Sequence, residues 1–226
     1  MSARDEILRQ IRAGLKRGAL GAEAQRALAA RLAAPPQTIV PARARGNETE
    51  LFARFCEMAK RAGATVSACE DTGELGREIA RFLGQESLPR VIRMAPEAGL
   101  DFIALLKQTG FSILRGAAEP SDRVGLSRAL AGAAETGSLM LASGEGHPMS
   151  LAFLPEVHIA VLPRIRIVGC YEEAMAQFRS GGMTHALPRA VTFVTGPSRS
   201  ADIEQKIQFG AHGPRRLHIC VLEKMP

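Results

Sequence analysis

Apolar positions near the start of the chain recur every three or four residues, which is the spacing of an amphipathic helix. This pattern predicts a helix over residues 3–17 and a second helix over residues 22–33. Pro35 and Pro36 cannot continue the second helix, and residues 35–46 contain three prolines and a glycine, so an extended linker is expected there. The first 46 residues are therefore predicted to form an N-terminal helical arm.

From residue 47 onward, apolar stretches with helical spacing alternate with short runs that contain β-branched residues. Asn47 and Glu50 have the spacing of a capping box, which predicts the start of a helix. The predicted elements are, in order, a helix over 47–61, a strand over 64–68, a helix over 71–83, a strand over 90–94, a helix over 100–106 and a strand over 111–114. Strands that alternate with helices indicate an α/β fold, with a mostly parallel sheet and flanking helices.

After residue 124 the apolar runs become shorter. They predict strands over 139–141, 157–162, 190–194 and 217–222, and a helix over 172–179. Between the last two strands the chain is rich in glycine, proline, serine and charge, which predicts a polar loop, a short helix and a second loop. That helix is expected to begin near Asp202, with Gln205 as its capping-box partner.

The first of these loops carries a set of groups suited to an anion. Gly196 permits a turn that a side chain would forbid, and Thr195, Ser198 and Arg199 supply hydroxyl groups and a guanidinium. A helix N-terminus at Asp202 would add free N–H groups to the attraction. The alternative is a capped turn whose hydroxyl groups bond only to their own backbone.

The second loop contains His212, which is flanked by Gly213 and can therefore approach a ligand or another backbone closely. His212 is a candidate site residue on this ground. His218 alternates with Leu217 and Ile219 along a strand, so it is expected to face the opposite side of the sheet. We interpret His218 as structural.

Two further positions upstream are candidates for chemistry. Glu135 and Thr136 are followed by Gly137 among small residues, so the carboxylate of Glu135 is a candidate nucleophile or acid/base over a cleft. The alternative is a glutamate that satisfies turn N–H groups or pairs with an arginine. His158 interrupts an apolar run and is either a hydrogen-bonded core residue or a group that faces the same cleft as Glu135 and His212.

The basic charge is concentrated at the start of the chain. The net charge is +6, and residues 1–46 hold nine Lys and Arg against three Asp and Glu, so the remaining 180 residues balance to zero. The chain has no Trp, one Tyr and nine Phe, which weakens any platform for stacking bases. Nucleic-acid binding is therefore not expected, and a solvated or partner-docking arm is favoured.

Cysteine and histidine spacing argues against metal ligation by this chain. The four cysteines, Cys56, Cys69, Cys170 and Cys220, form no CxxC pair, so neither a zinc ribbon nor an iron–sulfur site is expected. The ligand types of His158, His212 and Asp202 or Glu135 would suffice for a metal, but no HxH or HxxxH spacing supports one. No cofactor is assigned.

Without a signal-like start or an 18-residue apolar run, we expect a cytoplasmic protein with no membrane span.

Four segments in the same order resemble a known family. They are AAETGSLML at 133–141, LPEVHIAVL at 154–162, TGPSRSADIEQ at 195–205 and GAHGPRRLHI at 210–219. Together they resemble the lactate-utilisation protein C family (LutC/YkgG-like), whose defining unit is the LUD domain. The resemblance assigns residues 47–226 to that domain and implies an α/β fold of the type shared with CoA transferases, ribose-5-phosphate isomerase and formyltetrahydrofolate cyclo-ligase. It also implies a role in oxidising L-lactate to pyruvate beside two partners, one of them carrying iron–sulfur clusters.

The leading hypothesis is a cleft that holds a small anionic ligand. Its predicted lining is Glu135, Thr136, Gly137, His158, Thr195, Gly196, Ser198, Arg199, Asp202 and His212. In this hypothesis Arg199 and Ser198 hold the anion, and Glu135 or His212 moves a proton. The alternatives are a stand-alone enzyme on an acyl-CoA, sugar-phosphate or folate-like substrate, and a non-catalytic assembly subunit whose arm docks a partner.

Overall fold

The computed structural model describes residues 2–16, 18–34, 39–96, 106–107, 110–180, 188–203 and 206–224. The chain divides into two compact units, Met1–Ile39 and Val40–Pro226. None of the described helices is long and apolar enough to cross a membrane.

The first unit contains the two predicted helices, α1 (Ala3–Gly14) and α2 (Ala22–Ala33). A capping box begins α1, because the Ser2 hydroxyl accepts from the Asp5 N–H while the Asp5 carboxylate accepts from the Ser2 N–H. The prediction of both helices is confirmed, although α1 ends at Gly14, before the predicted residue 17. Pro35 and Pro36 lie outside the described residues.

The second unit contains three further described helices, α3 (Glu48–Arg61), α4 (Thr72–Gln85) and α5 (Tyr171–Ser180). The predicted capping box at the start of α3 is confirmed, since Asn47 and Glu50 each accept the other's backbone N–H. Most of the helix predicted over 100–106 lies outside the described residues. Short 3₁₀ turns lie at Ala42–Ala44, Met149–Ala152 and Arg164–Arg166.

The strands of the second unit form two sheets and a hairpin. In chain order they are β1 (Thr65–Cys69), β2 (Val91–Met94), β3 (Ser112–Arg115), β4 (Val124–Arg128), β5 (Ala131–Ala133), β6 (Ser138–Ala142), β7 (Val157–Pro163), β8 (Ile167–Val168), β9 (Val191–Val194), β10 (Arg199–Ile203), β11 (Lys206–Phe209) and β12 (Arg216–Leu222). The larger sheet has the order β1-β12-β7-β4-β2-β3 and is parallel throughout. The predicted α/β fold with a mostly parallel sheet and flanking helices is confirmed.

The smaller sheet has the order β8-β5-β6-β9, and its β5–β6 and β6–β9 pairs are antiparallel. Strands β10 and β11 form a separate antiparallel hairpin, in which Arg199 pairs with Phe209 and Ser200 with Gln208. The short helix predicted from Asp202 is therefore wrong. A helix of one or two turns is marginal alone, whereas the hairpin satisfies the same backbone groups across two strands.

The larger sheet is covered on both faces. Along β7, Val157, Ile159 and Val161 pack in a core with side chains of α4, whereas Ala160 and Leu162 pack in a second core with side chains of α3. Every residue of β7 is buried. Burial on both faces is typical of parallel sheets, whose crossover helices lie on either side.

His218 is buried on β12 and faces the side opposite Leu217 and Ile219, as predicted. Its Nδ1 lies 2.8 Å from the Thr65 hydroxyl, and its ring stacks on Phe82 with centroids 4.1 Å apart. Burial lowers the pKa of His218 to about 4, although the carboxylate of Glu78, 3.4 Å from Nε2, acts in the opposite direction. The ring is therefore neutral at pH 7, and its contact with Glu78 is not an ion pair there.

Buried neutral histidines make stability depend on pH. Burial lowers the pKa of both His158 and His218 from the ordinary value of 6.5 to about 4. The unfolded chain consequently binds more protons between those values, so stability falls as the pH drops through that window. We expect the free energy of unfolding to decrease by about 2 kcal/mol for each of these histidines between pH 7 and pH 5. Urea denaturation at the two pH values measures this.

The matched variants for this measurement are His218→Gln and His212→Gln. His218→Gln removes one buried titrating group and should reduce the pH dependence by about half. His212 is exposed, so His212→Gln should leave the dependence as in the wild type. Equal pH dependence in all three proteins would contradict the assignment.

Candidate functional site

Two turns, each containing a glycine with positive φ, pack against the C-terminal end of α3. Gly137 has φ +67°, and a side chain there would collide with the backbone nitrogen of Ala59. Gly196 has φ +76°, and a side chain there would collide with the backbone carbonyl of Ala62. Only glycine fits both the left-handed conformation and the close approach. The turn that carries Glu135 and the loop that begins at Thr195 are thereby held on the same end of one helix.

Arg199 lies beside the same helix end. Its guanidinium occupies the space next to Gly63, in the turn between α3 and β1, where a side chain would collide with Nη2. The guanidinium also lies 5.9 Å from the ring centroid of Phe209, its partner in the hairpin, a distance at the outer limit for a cation–π contact. Arg199 is exposed, so its remaining N–H groups are open to solvent.

A cluster of four hydroxyl groups joins these segments. The Ser138 Oγ lies 2.6 Å from Thr195 Oγ1, 2.7 Å from Thr136 Oγ1 and 2.8 Å from the Tyr171 hydroxyl. A serine hydroxyl has one donor and two acceptor sites, so these three contacts saturate Ser138, which is fully buried. Ser138 thus ties the loops after β5 and β9 to the start of α5. We call this set the hydroxyl cluster.

Glu135 is buried directly after β5, with 6% of its surface exposed. Its N–H donates to the carbonyl of Gly169 at 3.0 Å, and its Oε2 lies 3.5 Å from Nη2 of Arg43, an exposed residue. Pairing with an arginine was one of the two alternatives that the sequence left open. The contact with Arg43 therefore agrees with that alternative, and a catalytic role of Glu135 stays a prediction.

Ser198 and His212 belong to two loops that bind each other. The Ser198 N–H donates to the Pro214 carbonyl at 2.8 Å, and its carbonyl accepts from the Gly210 N–H at 3.0 Å. Its hydroxyl accepts from the backbone N–H of His212 at 3.3 Å, which leaves the hydroxyl proton available to a ligand. The imidazole of His212 is not used in this contact and is exposed.

His158 takes part in a different contact. It is fully buried on β7, and its Nε2 lies 2.8 Å from the hydroxyl of Ser127 on β4. Burial lowers the pKa of His158 to about 4, so the ring is neutral at physiological pH. Within the described part of the chain, Nδ1 has no hydrogen-bond partner. The contacts of His158 thus connect it to Ser127 and not to Glu135 or His212.

The structure therefore brings together some of the predicted site residues and separates others. Thr136, Gly137, Thr195, Gly196 and Arg199 meet at the end of α3, with Glu135 beside Gly137 in the same turn. Asp202 lies on strand β10, and the placement of its side chain is outside what the structure describes. The described residues contain no group of three potential metal ligands. The ligand-binding and catalytic roles of all these residues remain predictions.

Sequence reasoning missed Ser138, Tyr171 and Arg43. Ser138 directly follows the predicted site residues Glu135, Thr136 and Gly137, so its position in the sequence could have identified it as a candidate. Tyr171 and Arg43 are distant in sequence, and neither has a local pattern that indicates its contact with Ser138 or Glu135.

Comparison with known proteins identifies relatives of this chain. Lactate utilization protein C of Geobacillus sp. strain WCH70 is 39% identical over 87 residues, which cover 37% of this chain and 35% of that protein. Lactate utilization protein C of Halalkalibacterium halodurans is 35% identical over 107 residues, which cover 47% of this chain and 46% of that protein. The chain thus spans less than half the length of these curated relatives.

A solved structure has the same fold. The crystal structure of a DUF162 family protein from Deinococcus radiodurans superposes with a TM-score of 0.55 at 23% identity, over 79% of this chain and 99% of that one. The sequence model of the LUD domain matches residues 52–222, which include every segment that meets at the end of α3. This chain therefore belongs to the LUD domain family.

Proposed function

We propose that this protein takes part in lactate utilisation, as a component of the oxidation of L-lactate to pyruvate that acts with iron–sulfur partner proteins. The observation that carries the proposal is the similarity to proteins named Lactate utilization protein C, at 34–39% identity in the first three relatives compared. In this proposal the partners receive the electrons that lactate loses, and this chain binds and positions the organic acid.

The end of α3 supplies groups that suit such an acid. Lactate and pyruvate are carboxylates, and a guanidinium binds a carboxylate through two parallel hydrogen bonds. We assign this contact to Arg199, which is exposed and lies beside Gly63. The hydroxyl of Ser198, which still has a proton to donate, completes the anion site. Glu135 or His212 moves the proton.

A second candidate function is acyl transfer through a covalent adduct on Glu135. The observation that favours it is the buried position of this carboxylate beside Gly137 in the turn after β5. Mass spectrometry after incubation with an acyl-CoA distinguishes the two candidates. An adduct on the peptide that contains Glu135 would support acyl transfer, and its absence would favour the lactate proposal.

Deleting the gene should abolish growth on L-lactate as the carbon source and leave growth on pyruvate unchanged. Restoring the wild-type gene should restore growth on lactate. Glu135→Gln should fail to restore it, because an amide of the same shape neither accepts the proton nor attacks an electrophile. Glu145, exposed in the loop after β6, provides the matched control, and Glu145→Gln should restore growth fully. Normal growth of the deletion strain on lactate would reject the proposal.

The proposed iron–sulfur partner proteins are tested by a separate experiment. Affinity purification of the full chain from cells grown on L-lactate should recover iron–sulfur proteins, detected by iron content and visible absorbance. Deleting residues 1–39, the first compact unit, determines whether the arm holds them. Recovery that does not depend on the arm would reject a docking role for the arm, and recovery of no iron–sulfur protein would reject the partner assignment.

We expect Arg199→Ala to weaken the binding of L-lactate or pyruvate by about 10- to 100-fold, since a charge-assisted hydrogen bond is worth roughly 1.5–3 kcal/mol. Isothermal titration calorimetry measures the affinity. Arg189 is exposed and pairs with no carboxylate in the part of the chain that the structure describes, so Arg189→Ala should bind as the wild type does. Unchanged affinity in Arg199→Ala would overturn the role of Arg199.

A further inference from the structure

A cleft lies where the end of β11 meets the amino ends of β7 and β12. It is lined by Phe209, Arg215, Arg216 and Glu156, and its volume is about 300 Å³. Small-molecule sites in proteins begin at roughly this size, about 300 Å³, so the cleft has room for a compact ligand. We call it the Arg215 cleft.

Backbone contacts hold the wall of this cleft in place. The N–H groups of Arg215 and Arg216 both donate to the carbonyl of Glu156, at 2.8 and 3.3 Å. Gly210 has φ +79°, and a side chain there would collide with Cγ of Arg215. Because only glycine permits that approach, the aliphatic stem of Arg215 packs against the residue that follows Phe209. The ring and the guanidinium are thus carried by two segments that touch.

The charges around the cleft leave one cation without a counter-ion. Arg216 pairs with Glu86 at 2.9 Å, and Glu156 pairs with Arg123 at 2.7 Å. Arg215 is exposed and pairs with no carboxylate among the described residues. Within that part of the chain the wall therefore keeps one uncompensated positive charge, which attracts an anion.

Glu156 offers a hydrogen-bond acceptor beside that charge. The two N–H groups of Arg123 that it binds, Nε at 3.1 Å and Nη2 at 2.7 Å, both donate to Oε2. Its Oε1 accepts no hydrogen bond from the residues that the structure describes. A carboxylate oxygen only accepts, so Oε1 suits a ligand hydroxyl group.

Phe209 adds an aromatic surface to these polar groups. It is a large apolar side chain with 49% of its surface exposed. Arg199 approaches its ring but does not line the cleft. An exposed aromatic ring offers a face on which a planar ligand ring can stack.

We propose that the Arg215 cleft binds a nucleoside monophosphate. The three parts of such a ligand match the three free groups of the wall: the phosphate binds Arg215, a ribose hydroxyl donates to Oε1 of Glu156, and the base stacks on Phe209. A guanidinium binds a phosphate through two parallel hydrogen bonds. Every base has a face that can stack, so these contacts select no particular base. The site does not depend on the role in lactate utilisation.

Calorimetric titration of the full chain with AMP tests the proposal, with probes that each lack one part of the ligand. Adenosine lacks the phosphate and ribose 5-phosphate lacks the base, so each should bind at least about 10-fold more weakly than AMP. The 2′,3′-dideoxy form of AMP lacks the ribose hydroxyls and should bind several-fold more weakly. Equal affinity for AMP and ribose 5-phosphate would reject a nucleoside as the ligand.

Two variants should respond differently to the probes. Arg215→Gln should weaken AMP binding by about 10-fold and leave adenosine binding unchanged, because it removes the phosphate contact and keeps the Cγ that packs on Gly210. Phe209→Leu should weaken AMP binding by about 5- to 10-fold and leave ribose 5-phosphate binding unchanged, because it removes the stacking surface. A general loss of structure would not produce this crossed pattern.

The matched controls are Arg77→Gln on α4 and Phe153→Leu. Both residues are exposed and lie outside the lining of the cleft, so both variants should bind AMP as the wild type does. Thermal melts establish that each variant is folded. AMP binding that is absent in the wild type, or that keeps wild-type affinity in either folded cleft variant, would overturn the proposal.

The same titrations separate this site from the one assigned to Arg199. Loss of AMP binding in Arg199→Ala, with full retention in Arg215→Gln, would place the nucleotide at the end of α3 and reject the cleft. Because these measurements follow AMP binding and not growth on lactate, the failure of either proposal leaves the other standing.

Discussion

The burial of β7 on both faces is the constraint on which the rest of the structure depends. Its seven residues are all buried, with alternate side chains in two separate cores, and it lies between β12 and β4 in parallel register. A polar side chain on such a strand must find a partner within the protein, because no water reaches it. His158 meets this requirement at Nε2 through Ser127 on the neighbouring strand and stays neutral, whereas its Nδ1 has no partner in the described part of the chain. The parallel arrangement also places the carboxyl ends of β4 and β7 side by side, and so brings Arg128 next to the turn that holds Arg166.

The C-terminal end of α3 is the second organising feature, and it depends on backbone shape more than on side-chain chemistry. Gly137 and Gly196 allow two chain turns to touch the last turn of the helix, where any Cβ would meet backbone atoms. The hydroxyl cluster also links the two turns, because Ser138 lies within hydrogen-bond distance of Thr136 in one and Thr195 in the other. A substitution at either glycine would therefore displace a whole turn, with the candidate site residues that it carries. This explains why the glycines are as much a part of the candidate site as Glu135 or Arg199.

Local patterns in the sequence were sufficient for the α/β fold. Helical spacing, the Asn47–Glu50 capping box and the alternation on either side of His218 are local patterns, and the structure contains the helices and the strand that they predict. The prediction was wrong at β10 and β11, where a capping-box spacing at Asp202 suggested a helix and pairing between two strands prevailed. Contacts between distant segments left no local signal. Arg43 with Glu135, and Ser138 with Tyr171, depend on how the sheets pack, and periodicity carries no information about that.

The exposure of Arg199 determines how strongly salt screens its charge. Its guanidinium lies beside Gly63 and the residue is exposed, so its attraction for a carboxylate is weakened by solvent and by salt. Raising the salt concentration should therefore weaken any binding of a carboxylate through Arg199, which titration at two ionic strengths measures.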